Sequence, residues 1–182
     1  MKKTAMLFAT GYEEVEALTV VDLLRRAEIG CDMVAVADAA QVTGSHGITV
    51  RADRKFSEAA FGEYDGVILP GGMPGTKNLA ADERVLDLLR SFHAWGKLTA
   101  AICAAPTVLA KAGVLEGRSA VCYPGMEEQL TGAKVSFDPV AVDGTVITSR
   151  GLGTAIPFAL SIVEYFEGQG RAEALASSVV YR

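Results

Sequence analysis

The chain has only two histidines, three cysteines and one tryptophan in 182 residues. It also lacks an apolar run of the roughly 20 residues needed to span a bilayer. Each scarcity excludes something. With only His46 and His93, neither of them beside Cys103, no cysteine–histidine pair can be assigned along the chain. Cys31, Cys103 and Cys122 are odd in number and widely spaced, which argues against a disulfide framework and against CxxC metal sites. A reducing, cytoplasmic setting is the expectation. Positive charge is short as well. The 17 Lys and Arg against 22 Asp and Glu leave a net −5, with no electrostatic footprint for nucleic acid or an anionic membrane surface. The opening MKKTAMLFAT meets Glu13, Glu14 and Glu16 at once, so a first strand is expected there and not a signal peptide. Neither a metal nor a cofactor is expected.

Half the residues are hydrophobic and 21% are charged, an ordinary profile for one domain over residues 1–182 that buries a core without staples. Short apolar runs at Thr4–Ala9, Asp32–Ala37, Gly66–Leu69 and Leu98–Ile102 read as strands. Between them lie helical periods: Glu13–Glu28, closed by Gly30; a helix capped by Asp82 and stopped by Gly96; and Pro106–Ala112, ended by Gly113. Gln41–Arg51, with Gly44 and Gly47, reads as a hairpin. Beyond Ser119 the strand-like pieces are Ala120–Tyr123, Val135–Phe137, Val140–Val142 and Val146–Thr148, with Asp143-Gly144 as a hairpin turn and at most a short helix over Met126–Leu130. Helices over Ala155–Glu167 and, more weakly, Arg171–Ser178 close the chain.

This alternation predicts an α/β fold, a mostly parallel sheet with helices on both faces. In such folds ligands sit outside the carboxyl ends of the strands. Thr10–Glu16, Pro70–Gly72, Cys103 and the Ser149–Thr154 loop are therefore expected to converge.

LTAAICAAPTVL (Leu98–Leu109) reads as a strand that delivers Cys103 to a sharp turn at the mouth of a helix. A free thiol titrates near 8.5, and a helix N-terminus lowers that value. Pro106 suits the first helical turn, where its missing N–H costs nothing. The competing reading is a buried, inert cysteine. A glutamate on the first helix could oppose a thiolate if ionised or hydrogen-bond it if protonated. Period alone does not decide which of Glu13, Glu14 and Glu16 points inward; a plain acidic first turn suits Glu13 and Glu14. Gly71 and Gly72 follow a strand directly, so their N–H groups could approach an oxyanion, or they form a simple turn. Gly151-Leu152-Gly153-Thr154 lacks the lysine of a phosphate loop. His93 reads as a surface histidine, Cys31 as core, and one of Cys122 and Tyr123 as facing the site.

With GYEEVEA, LPGG, AICAAP and TSRGLGT in this order and spacing, nearly the whole chain resembles the ThiJ/PfpI superfamily, and within it the parkinsonism-associated deglycase branch. The resemblance implies a flavodoxin-like three-layer sandwich, usually a homodimer. It implies Cys103 as a strained nucleophile, Glu16 as the protonated carboxyl beside it, and the N–H groups of Gly72 and Ala104 as oxyanion donors. Gly71 and Tyr123 would contact substrate, and Arg150 and Gly151 would support the site. The expected chemistry is glutathione-independent conversion of small 2-oxoaldehydes, or deglycation, linked to carbonyl and oxidative stress. A redox sensor or chaperone built on the same cysteine is the alternative, and a peptidase a more distant one. Three departures matter. Ala104 replaces the histidine that follows the cysteine in protease-like members. Tyr123 stands where deglycase-like members often carry histidine, and a phenol is a poor base near neutral pH. His46 stands where relatives can carry arginine, which weighs against anion binding there.

Overall fold

The computed structural model describes residues 1–181. Along the chain it forms β1 (Lys3–Phe8), α1 (Glu14–Arg26), β2 (Gly30–Ala35), a hairpin of β3 (Gln41–Thr43) and β4 (Thr49–Arg51), and β5 (Arg54–Lys55). Next come β6 (Gly66–Leu69), α2 (Gly75–Ala81), α3 (Glu83–Ala94), β7 (Leu98–Ile102) and α4 (Pro106–Lys111). The remainder is β8 (Ser119–Ala120), β9 (Lys134–Val135), β10 (Val140–Asp143), β11 (Val146–Ser149), α5 (Ala155–Glu167) and α6 (Gln169–Ser178).

Seven strands make the main sheet in the order β10-β11-β7-β6-β1-β2-β5, parallel except for β10. Because successive strand residues point to opposite faces, the sheet divides its own side chains. Met6, Phe8, Ile68, Ala100 and Ile102 join Val20 and Leu24 of α1 and Phe158 and Ile162 of α5 on one side. Ala5, Leu7, Val67, Leu69 and Ala101 meet Val85, Leu89 and Phe92 of α3 and Val108 and Leu109 of α4 on the other. Burying one such large side chain is worth about 1.5–3 kcal/mol, and a one-residue slip would send every strand residue to the wrong layer. Register is thereby held. Leu69 pairs with Ala101 and Ser149 with Ile102, so β6, β7 and β11 end at one edge. The expected three-layer α/β architecture is the one observed.

Several local expectations are corrected. Helix α1 stops at Arg26 and the chain turns at Glu28 (φ 64°), so Gly30 begins β2 and does not close the helix. Ala120–Tyr123 and Val135–Phe137 are not full strands; only Ser119–Ala120 and Lys134–Val135 pair, as a small parallel ladder outside the main sheet. Helix α2 and edge strand β5 arise where no helix or strand is expected. Asp82 does cap α3, accepting from the Arg84 N–H at 3.0 Å. Among the described residues no helix is long and apolar enough to cross a membrane.

Candidate active site

Between the end of β7 and Pro106 only Cys103, Ala104 and Ala105 are available to turn the chain. Cys103 adopts φ 66°, the left-handed region, a conformation that costs a non-glycine residue about 1–3 kcal/mol. Two hydrogen bonds hold it there. Its N–H donates to the Ser149 carbonyl at 2.9 Å, and its carbonyl accepts from the Tyr123 N–H at 2.8 Å. The turn therefore lifts this one thiol partly clear of the core, while Cys31 and Cys122 stay buried.

Glu16 meets that thiol from α1. Its side chain is almost fully buried, at 1% exposure. One carboxyl oxygen accepts the Gly71 N–H at 3.0 Å, and the carboxylate also accepts a hydrogen bond from the Cys103 thiol. Gly71 is squeezed between the two: a Cβ there would lie 2.5 Å from both Cys103 Cβ and Glu16 Oε2. Gly72 takes φ 91° and packs so tightly on the Tyr12–Glu13 peptide that no side chain fits. The N–H groups of Gly72 and Ala104 both hydrogen-bond the sulfur.

Burial pushes the Glu16 carboxyl up to about 7, with the negative charge of Glu13 adding to the effect and the hydrogen bonds from Cys103 and Gly71 opposing it. Cys103 is pushed up to about 12, chiefly by burial, then by the charge of Glu16 and its hydrogen bond. The Ala104 and Gly72 N–H groups pull the other way. A thiol more acidic than usual, expected from the helix mouth, is thus not the resting state. Helix α4 has only six residues, and a carboxylate in contact outweighs its dipole. Burial disfavours both anions and the Glu16 charge further disfavours the thiolate, so the two groups titrate as a coupled unit.

Tyr123 is half exposed, its ring 3.5 Å from where a Gly151 side chain would begin; that same point lies 3.9 Å from a Glu16 oxygen. The Ser149–Thr154 loop closes on itself: Ser149 Oγ meets Thr154 Oγ1 at 2.7 Å, and Thr154 Oγ1 accepts the Gly151 N–H at 3.1 Å. Arg150, expected to support the site, donates to the Phe137 carbonyl at 3.2 Å. Cys122 is core, its Sγ 3.5 Å from the Tyr123 carbonyl, so Tyr123 is the one of that pair on the rim. His93 is half-buried with an unpaired Nδ1 and not a solvated surface residue.

The residue missed is Glu14. It is 3% exposed and is no ordinary first-turn acid. Its oxygens accept the His46 N–H at 2.8 Å and the Ile48 N–H at 3.4 Å, and contact His46 Nδ1 at 3.0 Å and Ser45 Oγ at 3.3 Å. It clamps the β3–β4 hairpin to α1. Residues two apart on a helix point about 200° away from each other, so Glu14 and Glu16 can both be buried only because the hairpin covers the second side. Gly44, whose Cβ would strike the Glu14 carboxyl, was the available signal. Glu13, Glu14 and His46 also form the one grouping of metal-type donors among the described residues, within 4.8 Å of one another.

A left-handed cysteine hydrogen-bonded to a buried glutamate, at the carboxyl edge of a parallel sheet between two helical layers, defines a three-layer α/β protein with a thiol–carboxyl site. The chain belongs to the DJ-1/PfpI family, whose model matches residues 2–165. It is 40% identical to protein dj-1beta of Drosophila melanogaster over 183 aligned residues, covering 99% of this chain and 98% of the relative. The crystal structure of that fly protein superposes with a TM-score of 0.94 at 39% identity over the full length of both chains. A protein of Pyrococcus horikoshii named as a deglycase is 32% identical over 151 residues, 81% of this chain and 89% of the relative. An oxidized DJ-1 of Toxoplasma gondii gives a TM-score of 0.95 at 36% identity, covering 100% of this chain and 99% of that one.

Proposed function

We propose that the protein is a cysteine-dependent enzyme that converts small 2-oxoaldehydes to 2-hydroxy acids without glutathione, with deglycation of early adducts as the same chemistry on a larger substrate. The observation that carries this is the hydrogen bond between the Cys103 thiol and a buried Glu16 carboxyl that titrates near neutral pH. The deglycase name of the archaeal relative agrees with it.

The thiol is made nucleophilic in the act of attack. As Cys103 Sγ adds to the aldehyde carbon, its proton passes along the existing hydrogen bond to Glu16. The developing oxyanion is held by the Gly72 and Ala104 N–H groups and takes the proton from Glu16, giving a hemithioacetal. Glu16, again a carboxylate, removes the proton on the former aldehyde carbon and returns it to the adjacent ketone carbon. The hydroxyl proton of the hemithioacetal passes to the former ketone oxygen, so the ketone becomes a hydroxyl and the first carbon a thioester. Water then cleaves the thioester, releasing the 2-hydroxy acid and restoring the thiol. No external oxidant or cofactor enters, since the two carbons exchange oxidation level internally. Hydroxy-acid formation from methylglyoxal tests the reading; turnover no faster than that of Cys103→Ala sinks it.

A second reading draws on the oxidized state of the Toxoplasma relative. Three hydrogen-bonding groups around Cys103 Sγ would also stabilise a sulfinate, making the site a redox sensor. Peptide mass mapping after mild peroxide tests this, and equal oxidation of Cys103, Cys31 and Cys122 removes it. The homodimer implied by the resemblance belongs to the same proposal and is checked by light scattering.

A further inference from the structure

We propose that Glu13 sets the charge selectivity of the Cys103 site, admitting uncharged 2-oxoaldehydes and excluding aldehydes that carry a carboxylate or phosphate. The inference rests on the reading of Cys103 as the group that meets substrate. It begins with packing. Glu13 donates its N–H to the Gly71 carbonyl at 2.9 Å, and Gly72 lies against the same peptide. Glu13 is thus built onto the segment whose next N–H, that of Gly72, touches the sulfur.

Its side chain is held. Glu13 Oε2 lies 3.3 Å from Ser45 Oγ and 3.4 Å from His46 Nδ1, with the carboxylate side chain only 13% exposed. Its charge is felt inside the site, since it helps to raise Glu16. Among the described residues no lysine or arginine ion-pairs with Glu13, Glu14 or Glu16. The single charged-partner candidate, His46, is 69% exposed and is shared with Glu14 at 3.0 Å. Arg150, the nearest cation on the loop, is turned to Phe137. Tyr123 and Gly151 add no charge. An arriving anion would meet a net negative charge, with one imidazole shared between two carboxylates, whereas a neutral dicarbonyl would meet no such repulsion.

Two alkylating reagents of nearly the same size test this without turnover. Iodoacetamide is neutral and iodoacetate is an anion; their rates at Cys103 are followed by peptide mass and expressed as a ratio. The same ratio for the chain unfolded in urea is the reference. The folded protein is expected to favour iodoacetamide by about tenfold over that reference, as one partly screened negative charge bordering the site would give. Glu13→Gln is expected to shrink the preference at least threefold, and 1 M salt to shrink it further in the native chain. Should Glu13→Gln fold poorly, His46→Lys on the exposed hairpin places a fixed cation beside Glu13 and is expected to close the gap from the other side. Equal ratios in folded and unfolded chain, or a preference indifferent to Glu13→Gln, His46→Lys and salt, overturns the proposal. Selectivity without methylglyoxal turnover would defeat only the enzymatic reading. Turnover without selectivity would defeat only this one.

Discussion

Glu14 and Glu16 stand two residues apart on one helix, both at 3% exposure or less, and burial leaves them in opposite states. For Glu14, burial would raise the carboxyl, but hydrogen bonds from its own N–H, the His46 ring and the His46 and Ile48 N–H groups prevail and pull it to about 2. Glu16 has one backbone donor and a thiol, and burial carries it up to about 7. Deeper desolvation at Glu16 and a richer donor supply at Glu14 together separate a fixed anion from a carboxyl that titrates near neutral pH. A group near neutral can both give and take a proton, which is what the proposed Cys103 chemistry requires.

The largest effect that sharpens this contrast is on activity. Glu16→Gln keeps the shape and the Gly71 contact but removes the mobile proton, and kcat for hydroxy-acid formation is expected to fall about 10²- to 10⁴-fold. Steady-state assays with circular dichroism as a folding control check it; an unimpaired variant would place the proton shuttle elsewhere. Glu14→Ala should act through stability instead. It leaves the donors of the hairpin unpaired in a covered site and is expected to cost about 3 kcal/mol in urea unfolding.

The two carboxyls also predict opposite pH limbs. The folded Glu16 value lies above the ordinary 4.5, so the folded state holds the extra proton between them. The stability it confers is complete below about 4.5 and is lost as pH rises through 7, about 3 kcal/mol in all. Glu14 lies below 4.5, so its contribution is present above that pH and lost as pH falls towards 2. Urea midpoints against pH should lose the neutral limb in Glu16→Gln and the acid limb in Glu14→Gln. The smallest expected effects come from the glycines that face each carboxyl. Gly71→Ala and Gly44→Ala each press a Cβ into a carboxylate, costing about 1–3 kcal/mol, but only Gly71→Ala should also depress kcat.

Much of the frame is legible along the chain. Strands β1, β6 and β7 are buried on both faces, and such strands read as unbroken apolar runs such as GVIL and LTAAI. The turn of AICAAP is legible because small residues and a proline leave few alternatives. Other pieces are silent. Strand β5 is two charged residues, Arg54 and Lys55, that pair only because β2 offers an edge. Helix α2, GTKNLAA, has no apolar period and forms against α3 and α4. Cys122 and Tyr123 look like neighbours in a strand, yet one is core and the other rim because β8 stops at Ala120.

By itself the sequence determined the layered α/β frame and the placing of Cys103 on a turn, since hydrophobic period and residue size act locally. Helical period left open which glutamate faces the sulfur; the family resemblance named Glu16, and only the tertiary structure shows why it is that one and what it does to the thiol. Glu13, Glu14 and Glu16 are chemically identical; their difference lies in the groups that reach them from residues 44–48, 71 and 103, and those distances exist only once the sheet is closed.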